Sequence, residues 1–333
     1  MKFTVLDHEL DLWCTGTWLA LIGGFVVARL LVWDLGAFFY KRWLRPAANL
    51  KTYGAGQGSW AVVTGASDGI GKGYATTLAS RGFNVVLISR TKSKLDAVAR
   101  EIEDNYKVKT KVVAVQFGSK DTSYFEDIKE ALESCERIGI LVNNVGVNYP
   151  FPGKYLELSL EDHENIIEIN ARCLHHMTHI TLPLMLEKKG KGRCGILNVS
   201  SLTGIVPVPG LICYGASKAF ADSFSQSLAT EYAPLGIDVV SITPGMVVSN
   251  MSKFRRASLM KGVDTAEHCA AGSLAVLGKE LRWSPFWVHA LQGWMFEAFH
   301  RRTILGVFWN HMSGMRKRAL AKLKREQEGK KTQ

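Results

Sequence analysis

A tyrosine and a lysine four positions apart, Tyr214 and Lys218, form the clearest candidate for proton-transfer chemistry in the sequence. On a helix this spacing places both side chains on one face. A lysine ammonium beside a phenol favours the phenolate and lowers the tyrosine pKa, so the hydroxyl can exchange a proton with a carbonyl or an alcohol. Ser201 precedes the pair by a loop that can bring its hydroxyl to the same substrate oxygen. Because any helix can carry Tyr-x-x-x-Lys by chance, the rest of the chain must supply a cofactor site.

A glycine-rich loop, TGASDGIG at residues 64–71, provides that site. It follows the apolar run WAVVTG and precedes a helix that we expect to begin near Gly69. Glycines allow a tight turn and a close approach of the backbone to a pyrophosphate at the helix N-terminus. The alternative is a plain strand-to-helix turn, but both flanks are those that a dinucleotide site requires. The residues expected to contact the cofactor here are Gly65, Ser67, Asp68, Gly69, Ile70 and Gly71.

The end of the second apolar run, NVVLISR, indicates which dinucleotide binds. An NAD site places an acidic residue there, whereas an arginine accommodates the 2′-phosphate of NADP. This chain has Ser89 and Arg90, with Lys92 and Lys94 nearby and no acid. We therefore expect NADPH, contacted by Ser89, Arg90 and Lys94. The alternative is that Arg90 is a solvated charge beside a helix, and Asp68 is an unfavourable neighbour for a phosphate.

Short apolar strands alternate with helical stretches through the middle of the chain. The predicted strands cover residues 60–65, 84–90, 111–117, 139–146, 194–201 and 237–245. Helices are predicted at 92–105, 122–135, 160–186 and 214–233. Apolar strands separated by helices predict an α/β fold, a Rossmann-type doubly wound parallel sheet covered on both faces.

Both ends of the chain have the character of membrane segments. Residues 12–40 are apolar with aromatic ends and precede Lys41, Arg42 and Arg45, which predicts a transmembrane helix with everything after it cytosolic. A signal peptide is the alternative, but a basic n-region is missing.

Apolar residues from 283 to 299 recur at helical spacing, so this stretch is expected to lie in the membrane interface or to pack on protein. The expected domains are 1–55 (anchor and basic linker), 56–280 (NADP-binding catalytic domain) and 281–333 (amphipathic membrane-associated extension and basic tail).

Composition limits the remaining classes of function. The chain has 333 residues and a net charge of +11, with basic residues concentrated after the apolar segment and in the tail. Basic blocks beside apolar segments favour a membrane surface, and no nucleic-acid-binding module is recognisable. The six cysteines are scattered, which indicates a reducing compartment. His175 and His179 have the spacing of a metal pair but lack a carboxylate or thiol partner, so no metal is predicted.

Five motifs in order, TGASDGIG, NNVG (143–146), Ser201, YGASK (214–218) and PGMVVS (244–249), resemble the short-chain dehydrogenase/reductase family. The resemblance implies that Tyr214 is the general acid, that Lys218 binds the nicotinamide ribose and that Ser201 holds the substrate oxygen. Asn170 matches the asparagine of a water-mediated proton relay. Gln116 stands where the family commonly has an aspartate that touches adenine, and an amide can make the same hydrogen bond. The other implied cofactor contacts are Asn143, Asn144, Gly146, Pro244, Gly245, Val247 and Ser249.

Within the family, the sequence most resembles the membrane-bound very-long-chain 3-oxoacyl-CoA reductases of fatty-acid elongation and the 17-beta-hydroxysteroid dehydrogenases related to them. The resemblance rests on the N-terminal apolar segment, TGASDGIGKGYA, LVNNVG, the region 175–183 and the hydrophobic C-terminal extension. It implies NADPH-dependent reduction of a long-chain 3-oxoacyl-CoA, contact with endoplasmic reticulum membrane lipid and with other elongation enzymes, and allows a homodimer. The last four residues, KKTQ, fit a dilysine signal for retrieval to that membrane.

Two other functions stay open from the sequence. The same chemistry could act on a 17-beta-hydroxysteroid or another lipid ketone, because pocket shape is not readable from motifs. A non-catalytic scaffold in a lipid-synthesis complex belongs to a different class. The intact set of Ser201, Tyr214, Lys218 and Asn170 argues against a scaffold, which has no physical need for a tuned phenol.

Overall fold

The computed structural model of the protein describes residues 2–5, 8–119 and 122–331. The chain divides into two compact units, Met1–Ala47 and Ala48–Gln333. The second unit contains both the expected catalytic domain and the expected C-terminal extension, whose boundaries after residues 55 and 280 stay predictions. Thr332 and Gln333, the end of the expected retrieval signal, lie outside the described residues.

The first unit is a hairpin followed by a long apolar helix. Lys2–Val5 pairs with His8–Asp11 in antiparallel register, a feature that the sequence did not lead us to expect. Helical turns then continue from Leu12, with π-helical stretches at Arg29–Leu35 and Tyr40–Leu44. Among the described residues, one helix, Gly16–Leu44, is long and apolar enough to cross a membrane. Length and composition alone make it a candidate span, and a signal sequence meets the same criteria.

A parallel sheet of seven described strands forms the centre of the second unit. The strands are β1 Trp60–Thr64, β2 Asn84–Ser89, β3 Thr110–Ala114, β4 Ile138–Asn143, β5 Cys194–Val199, β6 Ile237–Ile242 and β7 Arg282–Trp283. They lie in the order β7-β6-β5-β4-β1-β2-β3. Every residue of β1, β4 and β5 is buried, because helices cover both faces. The direction of winding reverses between β1 and β4, and ligands bind parallel sheets at the carboxyl ends of the strands near such a point.

Helices cover both faces of this sheet. They are α1 Gly69–Ser80, α2 Lys92–Tyr106, α3 Tyr124–Glu133, α4 Leu160–Ile167, α5 Cys173–Lys188, α6 Ile212–Tyr232, α7 Ala266–Leu274, α8 Trp287–Ala298 and α9 Arg301–Lys331. One buried apolar cluster joins the sheet to α1, α2 and α7, and a second joins it to α3, α5 and α6. The predicted doubly wound Rossmann-type fold is confirmed.

Local structure differs from the sequence prediction in several places, including the following three. The single helix expected over 160–186 is interrupted by a π-helical turn at Glu168–Arg172. The strand expected over 237–245 ends at Ile242, so that Pro244 and Gly245 belong to the loop that follows. The edge strand β7 was missed because its two residues give no periodic pattern. The first two differences concern residues of the candidate site: Asn170 lies in the π turn, and Pro244 and Gly245 lie in the loop.

The apolar stripe expected on one helix is distributed over β7, α8 and the turn after α8. Phe286 and Phe299 have extended backbones and bound α8 on either side. The helix buries His289 and Gly293, and a Cβ on Gly293 would lie 3.4 Å from Leu202. Trp287, Leu291, Trp294 and Met295 are exposed. One side of α8 therefore packs on the catalytic domain while the opposite, apolar side faces outwards.

Candidate active site

Tyr214 and Lys218 lie together at the start of α6, at the carboxyl edge of the sheet. The Lys218 Nζ is 5.8 Å from the centroid of the Tyr214 ring. Lys218 is 5% exposed and donates a hydrogen bond of 2.8 Å to the carbonyl oxygen of Val199, the last residue of β5. The two side chains therefore lie on one face of α6, as their spacing predicted, and the end of β5 fixes the position of the Lys218 ammonium.

Burial controls the pKa values of both groups. It lowers the pKa of Lys218 to about 8, because the ammonium loses its hydration. Burial also raises the pKa of Tyr214, while a hydrogen bond from the Ser201 hydroxyl lowers it. The expected lowering of the tyrosine pKa by the lysine is not what the structure gives, because the ammonium is directed to the Val199 carbonyl. Tyr214 is therefore protonated at neutral pH, as donation to a carbonyl requires.

Ser201 is positioned by the loop that links β5 to α6. Its Oγ accepts a hydrogen bond of 3.2 Å from the backbone N–H of Thr203 and so caps the short helix Leu202–Ile205. The N–H of Leu202 donates to the carbonyl of Pro244 at 3.0 Å. The Ser200 hydroxyl donates to the carbonyl of Lys218 at 2.6 Å. These bonds join the serine loop, the PGMVVS loop and α6 into one support for the Ser201 and Tyr214 hydroxyls.

Asn170 lies in the π-helical turn between α4 and α5. Its Oδ1 accepts the Val147 N–H at 2.7 Å, and its Nδ2 donates to the Val147 carbonyl at 2.9 Å. Nδ2 also donates to the Ser217 hydroxyl, 3.1 Å away on α6. A Cβ on Gly146 would lie 3.2 Å from Asn170 Oδ1 and 3.4 Å from Lys218 Nζ. Single π turns are frequent at functional sites, and this one places the asparagine between the NNVG loop and the catalytic helix.

The TGASDGIG loop has the shape of a phosphate cradle. Gly65 has φ +68°, and a Cβ there would lie 2.9 Å from the Asn144 Nδ2. A Cβ on Gly71 would collide with the Gly65 carbonyl. The Thr64 hydroxyl accepts the N–H groups of Asn144 and Val145 at 2.9 and 3.0 Å, which joins this loop to the NNVG loop. Only glycines fit this close approach, so the loop leaves backbone N–H groups at the start of α1 accessible to a pyrophosphate.

Two serine hydroxyls and an exposed arginine lie at the end of β2, where the sequence predicted the 2′-phosphate site. The Ser67 and Ser89 hydroxyls are 2.9 Å apart and join the glycine loop to the end of β2. Arg90 and Lys94 are exposed, and neither has an ion pair within the described chain. Lys92, in contrast, pairs with Asp96 at 3.0 Å. This donor set, together with the glycine cradle, fits NADP.

Asp68, which the sequence marked as unfavourable for phosphate, supports the loop after Gly245. Its carboxylate accepts the backbone N–H of Asn250 at 3.1 Å. A Cβ on Gly69 would lie 2.7 Å from the Cβ of Ser249. Val247 is 3% exposed and packs against Ala266, so its side chain is part of the core, while its carbonyl accepts the Ser252 hydroxyl at 2.6 Å. Ile70 packs on the same cluster.

The remaining predicted cofactor residues differ in their surroundings. Asn143 is 4% exposed, and its Nδ2 donates to Thr178 and Asn198 at 3.0 and 2.8 Å. Its side chain therefore links β4, β5 and α5 instead of making the cofactor contact that the family resemblance implied. Gln116 is exposed beyond the end of β3, and its Nε2 donates a hydrogen bond of 3.3 Å to the Phe117 carbonyl, so its contact with adenine stays a prediction. Gly245 lies against His289, since a Cβ would be 2.6 Å from its ring.

Two groups that support the site were missed from the sequence. Thr64 carries no signal beyond its place in the glycine motif. Tyr149 is buried, and its hydroxyl lies 2.6 Å from His163 Nδ1 and accepts the N–H of Cys213 at 3.2 Å. Nothing in the local pattern around Tyr149 or His163 marks a network, because Tyr149 lies in the loop after β4 and His163 on α4, and they meet each other and Cys213 only through tertiary packing.

The nucleotide cradle, the serine–tyrosine–lysine cluster and the sheet order together define an NADP-dependent oxidoreductase with a Rossmann-type fold. The family model for short chain dehydrogenase matches residues 59–259. The chain belongs to the short-chain dehydrogenase/reductase family, as the sequence motifs predicted.

Relatives and solved structures extend this assignment. The chain is 40% identical to the very-long-chain 3-oxoacyl-CoA reductase of Anas platyrhynchos, over 90% of this chain and 91% of that protein. It is 44% identical to hydroxysteroid dehydrogenase-like protein 1 of Gallus gallus, over 71% of this chain and 70% of that protein. A short-chain dehydrogenase from Sphingobium yanoikuyae, solved in complex with NADPH, is 26% identical with a TM-score of 0.60, and the match covers 79% of this chain and 95% of that one.

Proposed function

We propose that the protein reduces the 3-oxo group of long-chain 3-oxoacyl-CoA to a 3-hydroxyl group with NADPH, in the elongation of fatty acids. The observation that carries the proposal is the Ser201–Tyr214 hydroxyl pair beside the Lys218 ammonium at the carboxyl edge of the sheet. The similarity over nine-tenths of the chain to a very-long-chain 3-oxoacyl-CoA reductase supports the choice of substrate.

The chain's own residues account for the proton transfer. The nicotinamide of bound NADPH supplies the hydride. The Ser201 hydroxyl holds and polarises the ketone oxygen, and Tyr214, protonated at neutral pH, donates the proton to that oxygen. The Lys218 ammonium, 5.8 Å from the centroid of the Tyr214 ring and held by the Val199 carbonyl, is the group proposed to bind the nicotinamide ribose. Asn170, through Val147 and Ser217, keeps the NNVG loop at the distance from α6 that a proton relay needs.

Substrate comparison in membranes containing the full-length protein tests the proposal. NADPH oxidation should be faster with a long-chain 3-oxoacyl-CoA than with a 17-ketosteroid, and Tyr214→Phe should abolish most of the turnover. Reduction of the ketosteroid alone would replace the proposal with the second candidate, a hydroxysteroid dehydrogenase. The similarity to hydroxysteroid dehydrogenase-like protein 1 favours that candidate. Absence of turnover with either ketone, in protein that binds NADPH, would favour a scaffold.

The proposed place of action is the endoplasmic reticulum membrane, with the catalytic domain cytosolic. The candidate span Gly16–Leu44 and the basic residues at its C-terminal end, Lys41, Arg42 and Arg45, support this orientation. The exposed face of α8, with Trp287, Leu291 and Trp294, has the composition of a helix that lies in a lipid interface. Contacts with other elongation enzymes and a homodimer belong to the same proposal. Glycan-tag mapping provides the test: a tag after residue 333 that becomes glycosylated would place the tail in the lumen and contradict it.

A further inference from the structure

A basic cavity lies beside the nucleotide cradle, and none of the roles described above requires its cations. Its volume is about 680 Å³, and it opens between the start of α1 and the loop after Ser249. The lining side chains are mostly charged or polar: Asp68, Lys72, Ser249, Asn250, Lys253, Arg255, Arg256 and Glu267, with Phe254 as the large apolar one.

The loop at residues 248–258 that carries these cations is held in place by its own hydrogen bonds. The Val248 N–H donates to the Asp264 carbonyl at 3.0 Å, and Ser258 pairs with Val263 at the other end. The Ser252 hydroxyl donates to the Val247 carbonyl at 2.6 Å. Lys253 adopts φ +62°, a left-handed conformation that a non-glycine residue rarely takes. The loop is thus fixed in a shape that presents its side chains to the cavity.

The charges around the cavity favour an anion. Lys253, Arg255 and Arg256 are exposed and have no ion pair within the described residues. Lys72 is engaged by Glu101 at 2.8 Å. Of the two acids in the lining, Asp68 already accepts the Asn250 N–H. Three adjacent cations without carboxylate partners create a positive potential, and arginine in particular matches the geometry of phosphate oxygens.

We propose that this cavity binds the phosphates of the coenzyme A part of the substrate. The inference rests on the proposed function and extends it by assigning the carrier site. Gly69 and Ser249, which border the cofactor loop, form one wall of the cavity, so the carrier would lie next to the dinucleotide. Phe254 adds an apolar surface of the kind on which an adenine ring stacks.

Phosphates could reach these cations from two sources, the acyl carrier and the pyrophosphate of NADPH. The experiment separates them by using thioesters with and without phosphates. The full-length Arg255→Ala/Arg256→Ala protein is compared with wild type for a 3-oxoacyl-CoA and for the same acyl group on N-acetylcysteamine. We expect the KM for the CoA thioester to rise about tenfold, the equivalent of losing two exposed charge-assisted contacts. The KM values for the N-acetylcysteamine thioester and for NADPH should not change.

Two further variants sharpen the result. Arg255→Lys/Arg256→Lys retains the charge and should recover much of the affinity for the CoA thioester. Arg100→Ala/Lys109→Ala removes two exposed cations that do not line the cavity, and it should leave every KM unchanged. The difference between the two thioesters in the wild type should also shrink at high salt, because screening weakens exposed charge contacts.

The opposing outcomes are distinct. If the KM for NADPH rises in Arg255→Ala/Arg256→Ala, the arginines bind the cofactor. If the KM rises equally for both thioesters, the arginines maintain the shape of the loop. Either result overturns the inference. Reduction of 3-oxoacyl groups on both carriers, with no effect of the double variant, would overturn the inference but leave the proposed function intact. A wild-type enzyme that reduces neither thioester but reduces a ketosteroid would overturn the proposed function itself.

Discussion

The hydroxyl of Tyr149 accepts a hydrogen bond from the backbone N–H of Cys213, at 3.2 Å. Cys213 immediately precedes Tyr214 in the first turn of α6, where helix N–H groups lack intrahelical partners. The second contact of the hydroxyl, His163 Nδ1 at 2.6 Å, fixes its orientation, and Tyr155 stacks on the same imidazole with ring centroids 4.4 Å apart. Tyr149 therefore positions the start of α6, and with it Tyr214, the proposed proton donor, through the backbone of Cys213.

Tyr149→Phe tests this relationship with little change in packing. Loss of the hydroxyl leaves the Cys213 N–H without its partner and allows the start of α6 to move. We expect kcat to fall about fivefold, which corresponds to one neutral hydrogen bond, while KM for NADPH changes little. Steady-state kinetics of both substrates measure the split. Tyr155→Phe keeps the stacked ring and should behave as wild type; an unchanged kcat in Tyr149→Phe would contradict the positioning role.

The pH dependence of ketone reduction should follow Lys218. Its pKa, lowered by burial to about 8, means that the ammonium is present below that pH and is lost above it. The pKa of Tyr214 is raised, so the proton donor stays loaded across the same range. We therefore expect kcat/KM for reduction to decrease as pH rises through about 8. In Lys218→Arg the guanidinium stays charged, so the variant, although slower, should lose this decrease. A basic limb that remains near pH 8 in that variant would assign the titration to another group.

Asn170 should affect both stability and turnover. In Asn170→Ala, the N–H and carbonyl of the half-buried Val147 and the hydroxyl of the buried Ser217 each lose a partner. An unsatisfied buried polar group costs about 1–3 kcal/mol, so we expect the free energy of unfolding to fall by at least that amount. We also expect kcat to fall more than KM rises, because the proposed relay through Asn170 is needed only during proton transfer. Thermal unfolding and kinetics provide the two measurements. The matched control is Asn165→Ala, a substitution at an exposed position on α4. Equal losses of stability and of kcat in the two variants would contradict a specific role for Asn170.

Patterns that depend on neighbours along the chain were readable from the sequence. The TGASDGIG loop after β1, the alternation of strands and helices and the Tyr214–Lys218 spacing all follow from local sterics and periodicity. They were sufficient for the fold and for the outline of the site.

Features that depend on tertiary contacts were not readable. The π turn at Glu168–Arg172 forms where Asn170 binds Val147 and Ser217, which a helical period cannot reveal. Asp68 was judged by its charge against a phosphate, whereas its contact with the Asn250 N–H is set by a loop 182 residues away. Lys218 was expected to lower the pKa of Tyr214, but burial is the largest influence on both groups. It raises the pKa of Tyr214 and lowers that of Lys218. Each difference arises because solvation and long-range contacts override a local rule.

Arg90 should determine the choice between the two dinucleotides. It is exposed at the end of β2, beside the hydroxyl pair Ser67–Ser89, and the described residues hold no carboxylate in an ion pair with it. In Arg90→Ala the 2′-phosphate loses a charge-assisted contact, so we expect the Kd for NADPH to rise between about tenfold and a hundredfold. The Kd for NADH, which has no such phosphate, should not change. Isothermal titration of the purified full-length protein gives both constants. Lys92→Ala, whose ammonium already pairs with Asp96, is the control and should alter neither. Equal weakening of NADPH and NADH in Arg90→Ala would mean that the arginine supports the loop instead of reading the phosphate.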